Sequence, residues 1–243
     1  ALHGGLKPFG ATFLVFSDYE RPAMRLAALS HLPTLFVFTH DSIFLGEDGP
    51  THQAVEHHWA LRAIPGLAYW RPADGVEVAM AWACALEEKA RPHAFAFTRQ
   101  GLPAIERAAG FDPQVVRQGG YVVTDAEDPQ VILVGTGSEL HLCTGAAEKL
   151  AADGVRVRVV SMPCVDLFLE QPLDVQDAII PPRHPAVVSV EAGVTGPWAQ
   201  ITGRRGLRIG LDRFGASAPA EVLAEKFGFT VDAVYQRVRD FLA

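Results

Sequence analysis

Cysteine is scarce in this sequence. Cys84, Cys143 and Cys164 are the only three in 243 residues, too scattered for metal-type spacing and too few for a disulfide framework. The expectation for each is a buried thiol in a reducing, cytoplasmic setting. No apolar run approaches the length that spans a membrane, and the opening residues show no charged-then-apolar leader pattern. Positive charge is also in short supply, with 21 Lys and Arg against 28 Asp and Glu and a formal net charge of −7. Nucleic acid needs a basic face, so neither it nor a membrane is an expected partner. An anionic small molecule needs only local positive charge and stays allowed. Repeats, charge blocks and low-complexity runs are missing too. What remains is 49% hydrophobic residues, enough for one large or two small domains, each burying its own core.

Apolar runs alternate with helical patterns along the whole chain. Leu35-Phe36-Val37-Phe38, Leu67-Ala68-Tyr69-Trp70 and Ala94-Phe95-Ala96-Phe97 read as buried strands. Helical patterns lie between them: one through 25–29 with Pro22 in its first turn, one carrying Val55, Trp59 and Leu61, and one over 76–89 with Asp74 as its N-cap. The Pro- and Gly-rich stretch 101–120 reads as a connection. A second block follows, with strands at 131–134, 155–160, 187–190 and 207–210. Its helices run through 150, over 219–227 and over 231–242, with Thr230 as a cap for the last. The predicted fold is α/β: a partial parallel sheet over 1–112, a linker at 113–119, and a smaller, mixed-sheet, three-layer α/β domain over 120–243.

Open α/β sheets bind ligands beyond the carboxyl ends of their strands, so polar residues there are candidates for function. The densest set lies in 38–53, between a strand and a helix, where His40, Glu47, Asp48 and His52 share a loop that Gly46, Gly49 and Pro50 let turn. Arg99 ends another strand. Taken alone it is a solvated or ion-pairing residue more often than a ligand-binding one. Phe13, Phe16 and Tyr19 recur at three-residue spacing, and such an aromatic stripe is ordinarily core. A metal site from His40, Asp48, His52 and Glu56, the last two i, i+4 on a helix, lacks any familiar ligand spacing, and no metal is expected on these residues. The Gly135-Thr136-Gly137 turn lacks the third glycine of a dinucleotide fingerprint and reads as a tight turn with Ser138 as helix cap. His57 and His58 read as part of an exposed helix face.

Thr39-His40-Asp41-Ser42-Ile43, followed by Gly46-Glu47-Asp48-Gly49-Pro50-Thr51-His52-Gln53, resembles the signature of transketolases. The similarity recurs at Arg71-Pro72-Ala73-Asp74, Thr98-Arg99-Gln100, Gly119-Gly120-Tyr121-Val122, Thr136-Gly137-Ser138-Glu139 and Phe214-Gly215, and it covers nearly the whole chain. It implies the last part of a pyrimidine-binding domain plus a C-terminal domain. It also implies transfer of a two-carbon ketol unit from a ketose phosphate to an aldose phosphate, as in the pentose phosphate pathway, with thiamine diphosphate as cofactor. By the same resemblance Phe13, Phe16 and Tyr19 line the pyrimidine pocket, with Phe16 stacked on the ring. His40 and Asp48 contact donor hydroxyls, His52 serves in binding or proton transfer, and Arg99 holds the sugar phosphate. His40 and His52 are the implied catalytic pair.

The diphosphate and its magnesium or calcium ion would sit on an N-terminal domain outside this sequence, in an enzyme that is a homodimer. Ala1-Leu2-His3-Gly4-Gly5 reads like the end of a helix, and the family's Arg-Glu-His motif falls upstream of it. The expectation is therefore an incomplete portion, inactive alone. Two other readings stand beside it: a non-catalytic subunit or fragment that completes another chain's active site, and a relative of the 2-oxo-acid dehydrogenase β subunits. Phe44 stands where the family commonly has a small residue, which suggests a narrowed substrate channel.

Overall fold

The computed structural model describes all 243 residues as two α/β units, each built on its own sheet. The first unit runs β1 (Phe9–Phe13), α1 (Ser17–Leu29), β2 (Leu35–Thr39), α2 (His57–Arg62), β3 (Ala68–Trp70), α3 (Gly75–Glu87) and β4 (His93–Ala96). Its four strands are all parallel, in the order β1-β2-β4-β3. The second unit runs β5 (Tyr121–Thr124), β6 (Val131–Gly135), α4 (Leu140–Ala152), β7 (Val157–Ser161), α5 (Val165–Leu169), α6 (Leu173–Ile179), β8 (Val187–Val190), α7 (Ala199–Thr202), β9 (Leu207–Ile209), α8 (Ala220–Phe227) and α9 (Val231–Leu242). Its order is β5-β7-β6-β8-β9, with β5 antiparallel to β7 and the rest parallel. No helix is long and apolar enough to cross a membrane.

Strand alternation builds the layers. Val131 and Leu133 of β6 face a core that holds Cys143, Ala146 and Leu150 of α4 and Val234 and Val238 of α9. Ile132 and Val134 face the opposite layer, with Val165, Phe168, Ile179 and Trp198. The first sheet is covered the same way. Phe36, Phe38 and Tyr69 meet Met24, Ala27 and Leu61 on one side, whereas Phe95 and Trp70 join Met80, Ala81 and Ala85 on the other. One cluster of 36 buried residues passes from the first sheet into the second, so the two units share a core.

Charge reinforces that junction. Arg71, directly after β3 and fully buried, donates from Nε to Asp41 Oδ2 at 2.8 Å and from Nη1 to Glu139 across the junction. Arg62 of α2 grips Glu191 of the second unit with two bonds of 2.9 and 2.8 Å, and Trp198 Nε1 adds a third to the same carboxylate at 2.8 Å. Burial alone would raise the Glu191 carboxyl, but Arg62 and its neighbours hold it down at about 2. Backbone joins as well: Arg71 N–H donates to Pro163 O at 2.7 Å, and Gly137 N–H donates to Arg71 O at 2.9 Å. Tyr121 and Ser161 of the second unit both donate to the Glu77 carboxyl of α3, at 2.7 and 2.6 Å.

Several local expectations need correction. Helix α1 starts at Ser17, so Pro22 lies inside it, not in its first turn. Ser138 caps nothing; its hydroxyl donates to Glu139 Oε1 at 2.5 Å, and the turn takes glycine at 137 because Arg71 lies against it and at 135 because Leu140 and Cys143 do. His52 and Glu56 are not on a helix, since α2 begins at His57. His57 and His58 are buried, not exposed, because α2 is wedged between the two units. Phe44 is buried edge-on against Phe229, ring centroids 6.1 Å apart, and so belongs to the shared core, not to a channel. Asp74 does cap α3, accepting from Val76 and Glu77 N–H at 3.1 Å each, and Thr230 caps α9 from Ala233 N–H at 3.2 Å. The 101–112 stretch is pinned: Arg107 bonds Asp74 Oδ2 at 2.6 Å, and Ile105 N–H reaches the same oxygen at 3.2 Å.

Two stability measurements follow. Arg71→Ala leaves buried carboxylates without their cation and is expected to lower unfolding free energy by about 3–5 kcal/mol, read by urea denaturation. Asp166 accepts Tyr69 N–H at 3.1 Å across the junction, and burial lifts its carboxyl to about 6. That folded value lies above the unfolded one, so ionising Asp166 costs stability above about pH 6 and costs nothing below about pH 4. Asp166→Asn keeps an acceptor without the charge. It is expected to stabilise the chain by on the order of 1 kcal/mol at pH 8, with the gain vanishing by about pH 4 in thermal melts.

Candidate active site

Because β1 to β4 are parallel, their carboxyl ends share one edge, and the connections leaving that edge carry the candidate residues. Phe13 ends β1. The chain then tightens into a 3-10 turn, Leu14–Phe16, and enters α1 without a break. Leu14 and Ser17 point inward and are fully buried, which leaves Phe13, Phe16 and Tyr19 together on the outer side. Successive ring centroids are 6.1 Å apart, with interplanar angles of 15° and 37°. Phe13 and Phe16 are half-buried and Tyr19 is 84% exposed, so the triplet is not core. It presents apolar ring faces to the edge, which fits a flat heteroaromatic ring.

His40 follows β2 with φ 56°, in the left-handed region where a non-glycine residue is uncommon and costs strain. The reversal sends the next side chain, Asp41, into the core onto Arg71, while the His40 imidazole lies over Phe13 with centroids 3.8 Å apart. Burial and the Arg99 charge push His40 below its ordinary value, and Asp48 and Asp41 pull partly the other way. His52 meets Phe16 edge-on at 5.5 Å. Each imidazole has a threonine hydroxyl beside its Nδ1: Thr39 for His40 and Thr51 for His52, both at 2.9 Å. Arg99, three residues past the end of β4, is exposed and makes no ion pair or hydrogen bond within the chain. Asp48 is exposed too, and near enough for its charge to act on His40.

The structure thus brings the aromatic triplet, His40, His52, Asp48 and Arg99 to one edge. It does not bring His40, Asp48, His52 and Glu56 to ligand distance of a common point. The only three ligand-type groups within 4.8 Å of one another are Asp18, Glu56 and His57, where His57 Nε2 stands 3.3 Å from Asp18 Oδ2 in hydrogen-bond contact. The sequence reading missed the Arg62 and Arg71 network behind the site and the role of His58. That ring bonds Tyr69 OH at 2.8 Å and is pushed well below its ordinary value by burial and the nearby Arg71 charge. The signal available was α2 itself, whose Trp59, Leu61 and paired histidines leave only Arg62 charged in six residues.

The family model for the transketolase pyrimidine binding domain matches residues 1–104, and that for the transketolase-like C-terminal domain matches 119–230. The chain belongs to the transketolase family. It is 48% identical to the transketolase of Geobacillus stearothermophilus over 244 aligned residues, covering 100% of this chain and 36% of that one. It is 51% identical to the plasmid transketolase of Cupriavidus necator over 230 residues, 95% of this chain and 34% of that one. The transketolase structure from Leishmania mexicana superposes with a TM-score of 0.91 at 46% identity, covering 99% of this chain and 35% of the other. The chain therefore spans about a third of the length of the relatives it matches. Membership of the transketolase family implies thiamine diphosphate and a divalent metal, and the exposed aromatic triplet suits the cofactor's pyrimidine.

One titration tests the site's electrostatics. Arg99→Ala removes a cation that disfavours His40 protonation, so the His40 ring is expected to titrate at higher pH in the variant. An NMR titration of the ring signals reads this, and an unmoved midpoint would mean that Arg99 does not act on His40.

Proposed function

We propose that this chain supplies the pyrimidine-facing and sugar-facing side of a ketol-transfer site, acting on a ketose phosphate donor and an aldose phosphate acceptor. The observation that carries the reading is the convergence of an exposed aromatic slot, two imidazoles, a carboxylate and an unpaired guanidinium on one sheet edge. Phe13, Phe16 and Tyr19 would hold the pyrimidine of thiamine diphosphate, with Phe16 against the ring. The cofactor, when bound, supplies a carbon nucleophile and an electron sink for cleavage beside a ketone. Its diphosphate and magnesium or calcium ion would be held elsewhere, on an N-terminal domain of the whole enzyme, working as a homodimer. No Gly-Asp-Gly followed by asparagine occurs in these 243 residues.

The chain's own groups have distinct tasks in this reading. Arg99 binds the sugar phosphate, for which a planar guanidinium is suited. Asp48 accepts from donor hydroxyls. His40 and His52 hold or move protons at Nε2. A threonine hydroxyl at Nδ1 can donate or accept, so either tautomer keeps its partner and Nε2 can serve as donor or acceptor. The depressed value at His40 favours its neutral, proton-accepting form near pH 7. A second reading is that the chain completes a site on a separate polypeptide.

The test is to fuse this chain behind the N-terminal portion of the Geobacillus enzyme, and in parallel to add that portion in trans. Ketol transfer is expected from the fusion, and from the mixture if the second reading holds. The chain alone should show no thiamine diphosphate heat at micromolar concentration in calorimetry. Arg99→Ala in the fusion should raise KM for phosphorylated sugars far more than for unphosphorylated ones. A folded fusion without transfer, or an equal penalty for both sugar types, would overturn the assignment.

A further inference from the structure

The loop that carries Asp48 and His52 is held from the far side by the second unit, and its buried link is one side chain. Gln53, 2% exposed, donates from Nε2 to Gly46 O at 2.8 Å and to Ala216 O at 2.9 Å. Both partners are carbonyls, so only the amide nitrogen can face them, and the orientation of the group is fixed. Its Oε1 then lies where a Cβ on Gly215 would stand; Gln53 Cδ would be 2.9 Å from that Cβ. Glycine at 215 is therefore a requirement of the amide's position. The surrounding contacts repeat the pattern. Ser217 Oγ donates to Glu47 O. A Cβ on Gly49, at φ 77°, would be 3.2 Å from Ser217 Cβ. One at Gly46, at φ 93°, would be 3.6 Å from Ala218 O. The 46–53 loop thus lies against residues 215–218 along its length.

We propose that Gln53 is a positioning residue, and that residues 215–218 of the second unit act through it to set where Asp48 and His52 stand. The inference rests on the reading of those two residues as sugar-facing groups. The physical reason is that the loop has no regular structure from Gly46 to Glu56 and holds two glycines in the left-handed region. Its polar side chains project outward, so it lacks apolar anchors of its own between Leu45 and Ala54. A buried amide that bonds the start of the loop and the neighbouring unit at once closes it as a clasp would. It also stands next in sequence to His52, so a shift of Gln53 moves the imidazole directly.

The experiment uses the 243-residue chain. Gln53→Leu keeps the volume and removes both donors, and Gly215→Ala pushes the amide out of its place. In either variant, amide hydrogen exchange in 46–53 is expected to accelerate about tenfold or more, while exchange in β6 and β8 stays unchanged. The NMR cross-peak between the His52 and Phe16 rings should weaken or vanish, which a general loss of stability would not do selectively. If both variants fail to fold, Ser217→Ala, which removes one bond to the Glu47 carbonyl near the surface, should still raise exchange in 46–53. Unchanged exchange and an intact His52–Phe16 contact would overturn the proposal, as would equal acceleration throughout the core. Ketol transfer by the wild-type fusion is a separate control: its absence removes the functional reading, whereas exchange and ring contact still decide the role of Gln53.

Discussion

A guanidinium with no access to water must be surrounded by partners, and the rest of this molecule is arranged around that demand at Arg71. Its neighbours come from three strand ends: Asp41 after β2, Glu139 after β6 and Glu191 after β8. The two sheets therefore point their carboxyl edges at one another, with the charge between them. Arg62 adds a second cation, so two guanidinium groups face three carboxylates. Burial pushes the Glu139 carboxyl upward despite the Arg71 charge beside it. Gly137 is part of the same solution, because a Cβ there would stand 2.7 Å from Arg71 Cγ. The carboxyl edge that receives Arg71 is also the edge that presents His40. Docking of the units and formation of the site are thus one geometric event, with Asp41 facing in and His40 facing out.

Most strands and helices were legible because their apolar runs are buried on both faces, as parallel sheets require. The exceptions are β1, an edge strand whose first three residues are exposed and whose sequence, Phe-Gly-Ala-Thr-Phe, carries no clear period, the antiparallel strand β5, and the short helices α5, α6 and α7. The polar residues at strand ends were legible for a topological reason, since parallel strands gather their carboxyl ends. That rule and the loop's composition place His40, Asp48, His52 and Arg99 on one edge, while the tasks given to them, and the choice of Arg99 as a site residue, come from the family resemblance and are proposed.

What resisted reading was anything that depends on a partner distant in sequence. Arg71 meets Glu139 68 residues later, and Arg62 meets Glu191 129 residues later. No local pattern announces such pairs. The same holds for His57 and His58: a histidine pair beside charged residues looks solvated until α1 is set beside His57, through Asp18, and Gly193 of the second unit against His58. Ser138 misled because strand–turn–helix sequences normally cap with serine, whereas here the turn is shaped by a side chain from the other unit. For the aromatic triplet spacing could not decide between core and surface. Exposure rules out the core, and exposure is a property of what packs nearby.

The long sequence separations across the junction bear on how such a chain can be inherited. Arg62, Arg71 and Glu77 precede the connecting stretch, and their partners Glu139, Ser161, Glu191 and Tyr121 lie beyond it. A crossover between two diverged genes within that stretch would join halves whose buried charges had drifted independently. One mismatched member would leave a bare charge in the interior, a defect that selection removes quickly. The two units are expected to travel through evolution as a linked pair, with changes at these positions arising in compensated sets. The 101–120 stretch looks like a natural seam for exchange of domains, yet the charges buried beside it make it a poor one.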